Sequence, residues 1–161
     1  MTKDDKKMTK ALSPRKQLDA FLAKYLPEIA AQAHACLKIL RTRLPGAIQL
    51  VYDNYNALVV GFGPSEKPSE AIFSLVIYPR YLNLYFLQGA RVPDPRKLLQ
   101  GSGNVGRYIM LRVPADLNRP DIRELMSAAI ESARVPLDPA RRAQLIIRSI
   151  SPKQRPRRPP A

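Results

Sequence analysis

In 161 residues the chain holds one cysteine, Cys36, and one histidine, His34. A lone cysteine excludes an internal disulfide and any cysteine-based zinc site. A lone histidine, with no Asp/Glu cluster at ligand spacing, leaves no autonomous transition-metal centre. His34 and Cys36 are two apart on a predicted helix, about 200° around its axis, so they cannot chelate one ion together. Cys36 falls in an apolar stripe and reads as core. No nucleophile elbow accompanies His34, so no Ser-His-Asp arrangement can be built and no catalytic residue is assigned. No stretch approaches the ~20 apolar residues of a membrane span. The start, MTKDDKKMTK, has no apolar h-region. The expectation is a cytoplasmic protein with no membrane attachment, no metal and no cofactor.

Acid is also scarce, and unevenly so. The net charge is +14. Residues 1–16 carry six basic side chains against Asp4 and Asp5, and residues 141–161 carry seven with no acid. The remaining residues, 17–140, are nearly balanced, with 14 basic and 11 acidic side chains. Basicity therefore sits at the two ends, where it would attract a polyanion by counterion release or simply keep the protein soluble. Lys153, Arg155, Arg157 and Arg158 are the candidate nucleic-acid contacts of the C-terminal segment.

What is present is a pattern of elements. Residues 1–12 read as a disordered basic arm. Ser13-Pro14 is an N-cap before a proline at the first helical position, followed by the stripe Leu18, Phe21, Leu22, Tyr25. Pro27 opens a second helix with Ile29, Ala33, Cys36, Leu37, Leu40 and Leu44 on one face. Strands are predicted over Ile48–Tyr52, Ala57–Phe62, Ala71–Tyr78, Tyr81–Leu87 and Arg107–Val113, with a helix over Pro120–Arg134. Gln144–Ile150 is open between strand and helix; its three isoleucines favour strand. From Ser151 the proline- and arginine-rich remainder reads as a disordered tail. The sum is a single α+β domain over 13–150, a two-layer sandwich with helices packed on one face of a mostly antiparallel sheet.

The alternation inside two strands points to a site. Leu82, Leu84 and Phe86 oppose Tyr81, Asn83 and Tyr85; Ile109 and Leu111 oppose Tyr108, Met110 and Arg112. A sheet apolar on one side and Tyr/Asn/Arg-rich on the other is covered on one face only. Aromatics beside arginines on an open sheet can stack bases, and the same face suits a protein or small ligand, or a second copy of the chain as a homodimer. The Asp53–Asn56 edge after Ile48–Tyr52 adjoins this candidate surface and adds Tyr52, Asp53 and Tyr55 to it, and Asp53-Asn54 also suits a plain turn.

Gly101-Ser102-Gly103-Asn104-Val105-Gly106 matches G-x-G-x-x-G in the wrong context. A dinucleotide fingerprint follows a strand and opens a helix, whereas this run follows a predicted short helix, Pro95–Gln100, and leads into a strand. It reads as a glycine cap and return. Amides near Gly101 and Gly103, with Arg107, form a candidate anion site.

The run NLYFLQGARVPDPRKLLQGSGNVGRYIMLR resembles the signature of the YdhG-like family, small bacterial domains related in fold to frataxin and mostly without assigned function. The similarity runs from about Pro14 to Pro159 and implies the same helix-on-sheet arrangement. Some relatives are regarded as frataxin-like iron chaperones, in which an acidic surface on the first helix handles iron. Here the corresponding helices carry only Asp19 and Glu28 as acids, against Arg15, Lys16, Lys24, Lys38, Arg41 and Arg43. A surface of that sign repels Fe²⁺.

Overall fold

Proline starts each α-helix among the described residues. In the computed structural model, which describes residues 12–160, α1 spans Pro14–Leu22, α2 Pro27–Arg43 and α3 Pro120–Glu131. Proline's fixed φ suits the first helical position, where its missing N–H is not needed. Ser13 Oγ accepts the Lys16 amide at 3.2 Å and caps α1. Glu28 in the first turn of α2 and Arg41 and Arg43 in its last match the helix dipole. The chain then turns through Gly46 at φ +79°, where an added Cβ would lie 2.0 Å from the Asp138 carbonyl oxygen. Only glycine fits there.

Six strands follow: β1 Ile48–Asp53, β2 Leu58–Gly63, β3 Phe73–Ile77, β4 Leu82–Phe86, β5 Arg107–Leu111 and β6 Gln144–Ile150. The sheet order is β5-β4-β3-β2-β1-β6. The first five strands form an antiparallel meander, and β6 returns parallel to β1. Residues 144–150 are thus strand. Asp138 closes a turn by accepting the Ala140 and Arg141 amides, which stops a helix from running on.

Register follows the alternation. Leu58, Ile77, Leu82 and Leu111 form one cross-strand row, and Val60, Leu75, Leu84 and Ile109 the next. Both rows are buried in the core that also holds Leu37, Leu40 and Leu125, with Ile130 packed against it. The helices lie on one face of the sheet, an α+β sandwich. No helix among the described residues is long and apolar enough to cross a membrane.

Three expectations need correction or delimitation. Pro95–Gln100 is not helical: Asp94 accepts the Leu98 and Leu99 amides, Lys97 sits at φ 53°, and Gln100 pairs with Tyr108 through both backbone hydrogen bonds. A carboxylate that captures two successive amides offers the backbone an alternative to the helix. Residues 151–160 pack on the domain rather than trailing from it. The Ser151 amide donates to the Asp53 carbonyl, the Arg155 amide to the Tyr55 carbonyl, and Arg157 is buried. The predicted N-terminal arm, apart from Leu12, lies outside the described residues.

Candidate functional site

The sheet face away from the helices carries two rows of its own. Gly61, Ser74, Tyr85 and Tyr108 lie side by side across β2 to β5, and so do Val59, Val76, Asn83 and Met110. Small residues beside Tyr85 leave a shallow hollow of about 590 Å³, bordered by Tyr55, Asn56, Tyr78 and Tyr85. At the other end of β2 the face closes, because Ala71 folds over Gly61 and Gly63. The open part is therefore the tyrosine end.

Four tyrosine rings gather there. Tyr85 and Tyr108 stack with centroids 6.3 Å apart and planes 9° from parallel; Tyr78 and Tyr81 stack at 4.7 Å and 25°. Burial first, and then the neighbouring phenols of Tyr81, Tyr108 and Tyr85, push the Tyr78 hydroxyl above its ordinary pKa. Tyr81 and Tyr85 remain 41% and 37% exposed, enough to meet a ligand. Asn83, between them on β4, has an Oδ1 with no partner among the described residues, and so has the buried Tyr52 hydroxyl. Buried polar atoms left unpaired are costly, and both atoms lie shut off from solvent beneath the face, outside the lining of the hollow.

A second hollow of about 680 Å³ adjoins the first, between the β3–β4 turn and the C-terminal segment. Its walls include Tyr78, Tyr81, Arg80, Arg155 and Arg158, and among the described residues no Asp or Glu. Arg155 lies over the Tyr55 ring at 5.7 Å. Arg158 donates to the Lys24 carbonyl at 3.1 Å yet stays exposed, as do Lys153 and Arg112. Arg112 follows β5 in line with Tyr108 and Met110. Its amide is held by the Asp116 carboxylate at 2.9 Å.

Asp53 is not part of this surface. β1 runs one residue further than the sequence suggests, and strand alternation sends Tyr52 outward and Asp53 to the helix side. There Asp53 is fully buried, with Lys24 Nζ at 2.8 Å and Arg157 Nη2 at 2.9 Å. Burial alone would raise its carboxyl pKa; hydrogen bonding from Lys24, Gln154 and Arg157 outweighs this and holds it below the ordinary value. Arg157 is likewise withdrawn from any polyanion. Its guanidinium also reaches the Asn54 carbonyl and lies 5.9 Å from the Tyr25 ring.

The glycine run has a structural use. Arg107 turns its guanidinium inward to the Gly103 and Gly106 carbonyls, the latter at 2.7 Å, so it braces the loop instead of facing an anion. Gly101, at φ +111°, takes a conformation open to glycine and caps no helix. Gly106 leaves room for the Tyr85 phenol: a Cβ there would lie 2.3 Å from its hydroxyl oxygen. The run thereby sets where the Tyr85 ring can lie.

Sequence reasoning included Asn56 in the edge beside the surface but missed Tyr78 and Arg80. Tyr78 was legible, since it continues the outward series Ser74, Val76. Arg80 sits in a turn, where alternation carries no information. Among the described residues no group of three or more His, Cys, Asp or Glu side chains could hold a metal ion. Comparison with protein-family models, with curated proteins and with solved structures returns no match in any of the three.

Proposed function

We propose that this protein is a non-enzymatic, cytoplasmic binding domain whose recognition surface is the uncovered sheet face around Tyr78, Tyr81, Tyr85 and Tyr108, and that single-stranded nucleic acid is the ligand its chemistry favours. One observation carries the reading: two stacked tyrosine pairs adjoin a hollow walled by three arginines and, among the described residues, no Asp or Glu. Aromatic faces take any base by stacking, and guanidinium groups neutralise phosphates without regard to sequence.

A protein or small ligand on the same face is the second reading, supported by the exposed apolar surface of Tyr81, Tyr85 and Met110. Kinship with the YdhG-like family belongs to the proposal, without iron handling. Asp19 and Glu28 are separate exposed acids on a helical surface that is otherwise basic. Titration of a twelve-residue uridine oligonucleotide, followed by NMR of the tyrosine ring protons, tests the proposal. Tyr81, Tyr85 and Tyr108 should shift together. Shifts confined to resonances of the terminal segments would overturn it.

A further inference from the structure

At the opposite end of the sheet from the tyrosines, the C-terminal turn of α3 stands off from the strand ends and leaves a half-enclosed cavity of about 370 Å³. Its floor is apolar: Ile72, Phe86, Val92 and Ala129 line it and are all nearly buried. Ala133 and the partly exposed Val135 form the wall on the helix side. The size lies within the range of small-molecule pockets, about 300–1,000 Å³. It is narrow for a macromolecular segment.

Six of the thirteen lining residues are polar, and two of these are arginines. Arg91 follows β4 on a short 3-10 turn, Gly89–Arg91, and Arg134 lies just past the end of α3. Neither guanidinium has a hydrogen-bond or ion-pair partner among the described residues. The one carboxylate in the lining, Glu70, already accepts from the Ser65 hydroxyl at 2.7 Å. Two uncommitted guanidinium forks over an apolar floor suit a carboxylate joined to a compact hydrophobic body.

We propose that this cavity is a second ligand site, separate from the tyrosine face, which takes a small organic carboxylate with an aryl or short branched-chain body. The apolar body would rest on Ile72, Phe86 and Val92, and the carboxylate would sit between Arg91 and Arg134. The site uses none of the residues assigned to the nucleic-acid surface, so either proposal can fail alone.

The probe is 3-phenylpropanoate, with its neutral amide as the control, titrated into the full-length protein and followed by NMR. The carboxylate should bind, with shifts centred on Ile72, Val92, Ala129 and Ala133. Arg91→Ala and Arg134→Ala, both at exposed positions, should each weaken it about tenfold, and the amide should bind more weakly by a similar factor. Ala133→Met, which fills the cavity, should abolish binding while the tyrosine-face resonances stay in place. Absence of carboxylate binding would overturn the proposal. So would equal binding of acid and amide, or affinity unchanged in both arginine variants.

Discussion

The Arg157 guanidinium meets the Asp53 carboxylate at 2.9 Å, across 104 residues of chain, and both side chains are shut off from water. Lys24 reaches the other carboxylate oxygen at 2.8 Å. The pair ties the C-terminal segment to the end of β1, and so holds Arg155 and Arg158 beside the tyrosines. On the proposed function, stability and binding are thereby linked through one buried contact.

Asp53→Ala should be strongly destabilising, by about 3–5 kcal/mol, because it leaves Arg157 charged and buried without its partner. Arg157→Ala should fall at the lower end of that range, since Lys24 still faces the carboxylate. The double variant should cost less than the sum of the two. Urea denaturation of the four proteins checks the cycle, and strict additivity would mean that the two side chains do not couple.

Asp53 and Tyr25 bear on the pH limits of the fold, and the buried Cys36 thiol, pushed up to about 12 chiefly by burial, shares the alkaline arm with Tyr25. Asp53 has a folded pKa below its unfolded value, near 3.9, so its contribution is present above about pH 4 and is lost as pH falls further. The Tyr25 phenol is buried, donates to the Ile77 carbonyl at 2.8 Å, and is pushed up to about 12, chiefly by burial and against the pull of Arg157. Its contribution is complete below about pH 10, the unfolded value, and disappears as pH rises to about 12. Urea midpoints across pH should show both arms. Tyr25→Phe should flatten the alkaline one in part, and Asp53→Asn the acid one.

Gly106→Ala separates placement of the tyrosine from stability. Its Cβ would meet the Tyr85 hydroxyl oxygen at 2.3 Å, a contact that a swing of the ring relieves. The fold should lose less than about 1 kcal/mol, within the ordinary range for a surface change. The Tyr85 and Tyr108 ring resonances should nonetheless move, and oligonucleotide affinity should fall. An unchanged tyrosine spectrum would show that the loop does not set the ring.

On the proposed nucleic-acid reading, Arg155 and Arg158, with Lys153, are the candidate phosphate contacts of the C-terminal segment left after Arg157 is withdrawn. Replacing both arginines with alanine should reduce the salt slope of single-strand binding by about 1.4, at roughly 0.7 per neutralised phosphate. Circular dichroism should register little change, because both side chains are exposed. A slope equal to that of the wild type would remove these arginines from the interface.

The layers and the register were legible because they rest on short-range rules. Leu82, Leu84 and Phe86 alternate with Asn83 and Tyr85, and that alone places the tyrosine on the uncovered face. Ser13-Pro14 announces α1 in the same way. The burial of Asp53 and Arg157 was not legible. The arginine sits in a segment rich in proline and arginine, whose composition reads as disorder, and its partner lies across the whole domain. The expected helix at Pro95–Gln100 failed for a local reason, the capture of two amides by Asp94. At Gly101, Gly103 and Arg107, where an anion site was expected, Arg107 donates to the loop's own carbonyls, a contact that spacing in the sequence does not announce.

The most direct test of the account is the affinity of a fifteen-residue single-stranded oligothymidine for the wild type and for Tyr85→Ala, measured by fluorescence anisotropy across a salt series. The account predicts binding to the wild type that weakens steadily with salt. It also predicts a loss in Tyr85→Ala of about 1–3 kcal/mol, roughly 5- to 150-fold, that is the same at every salt, because stacking is lost and no phosphate contact is. No binding at low salt, or a Tyr85→Ala curve that superimposes on that of the wild type, would contradict it.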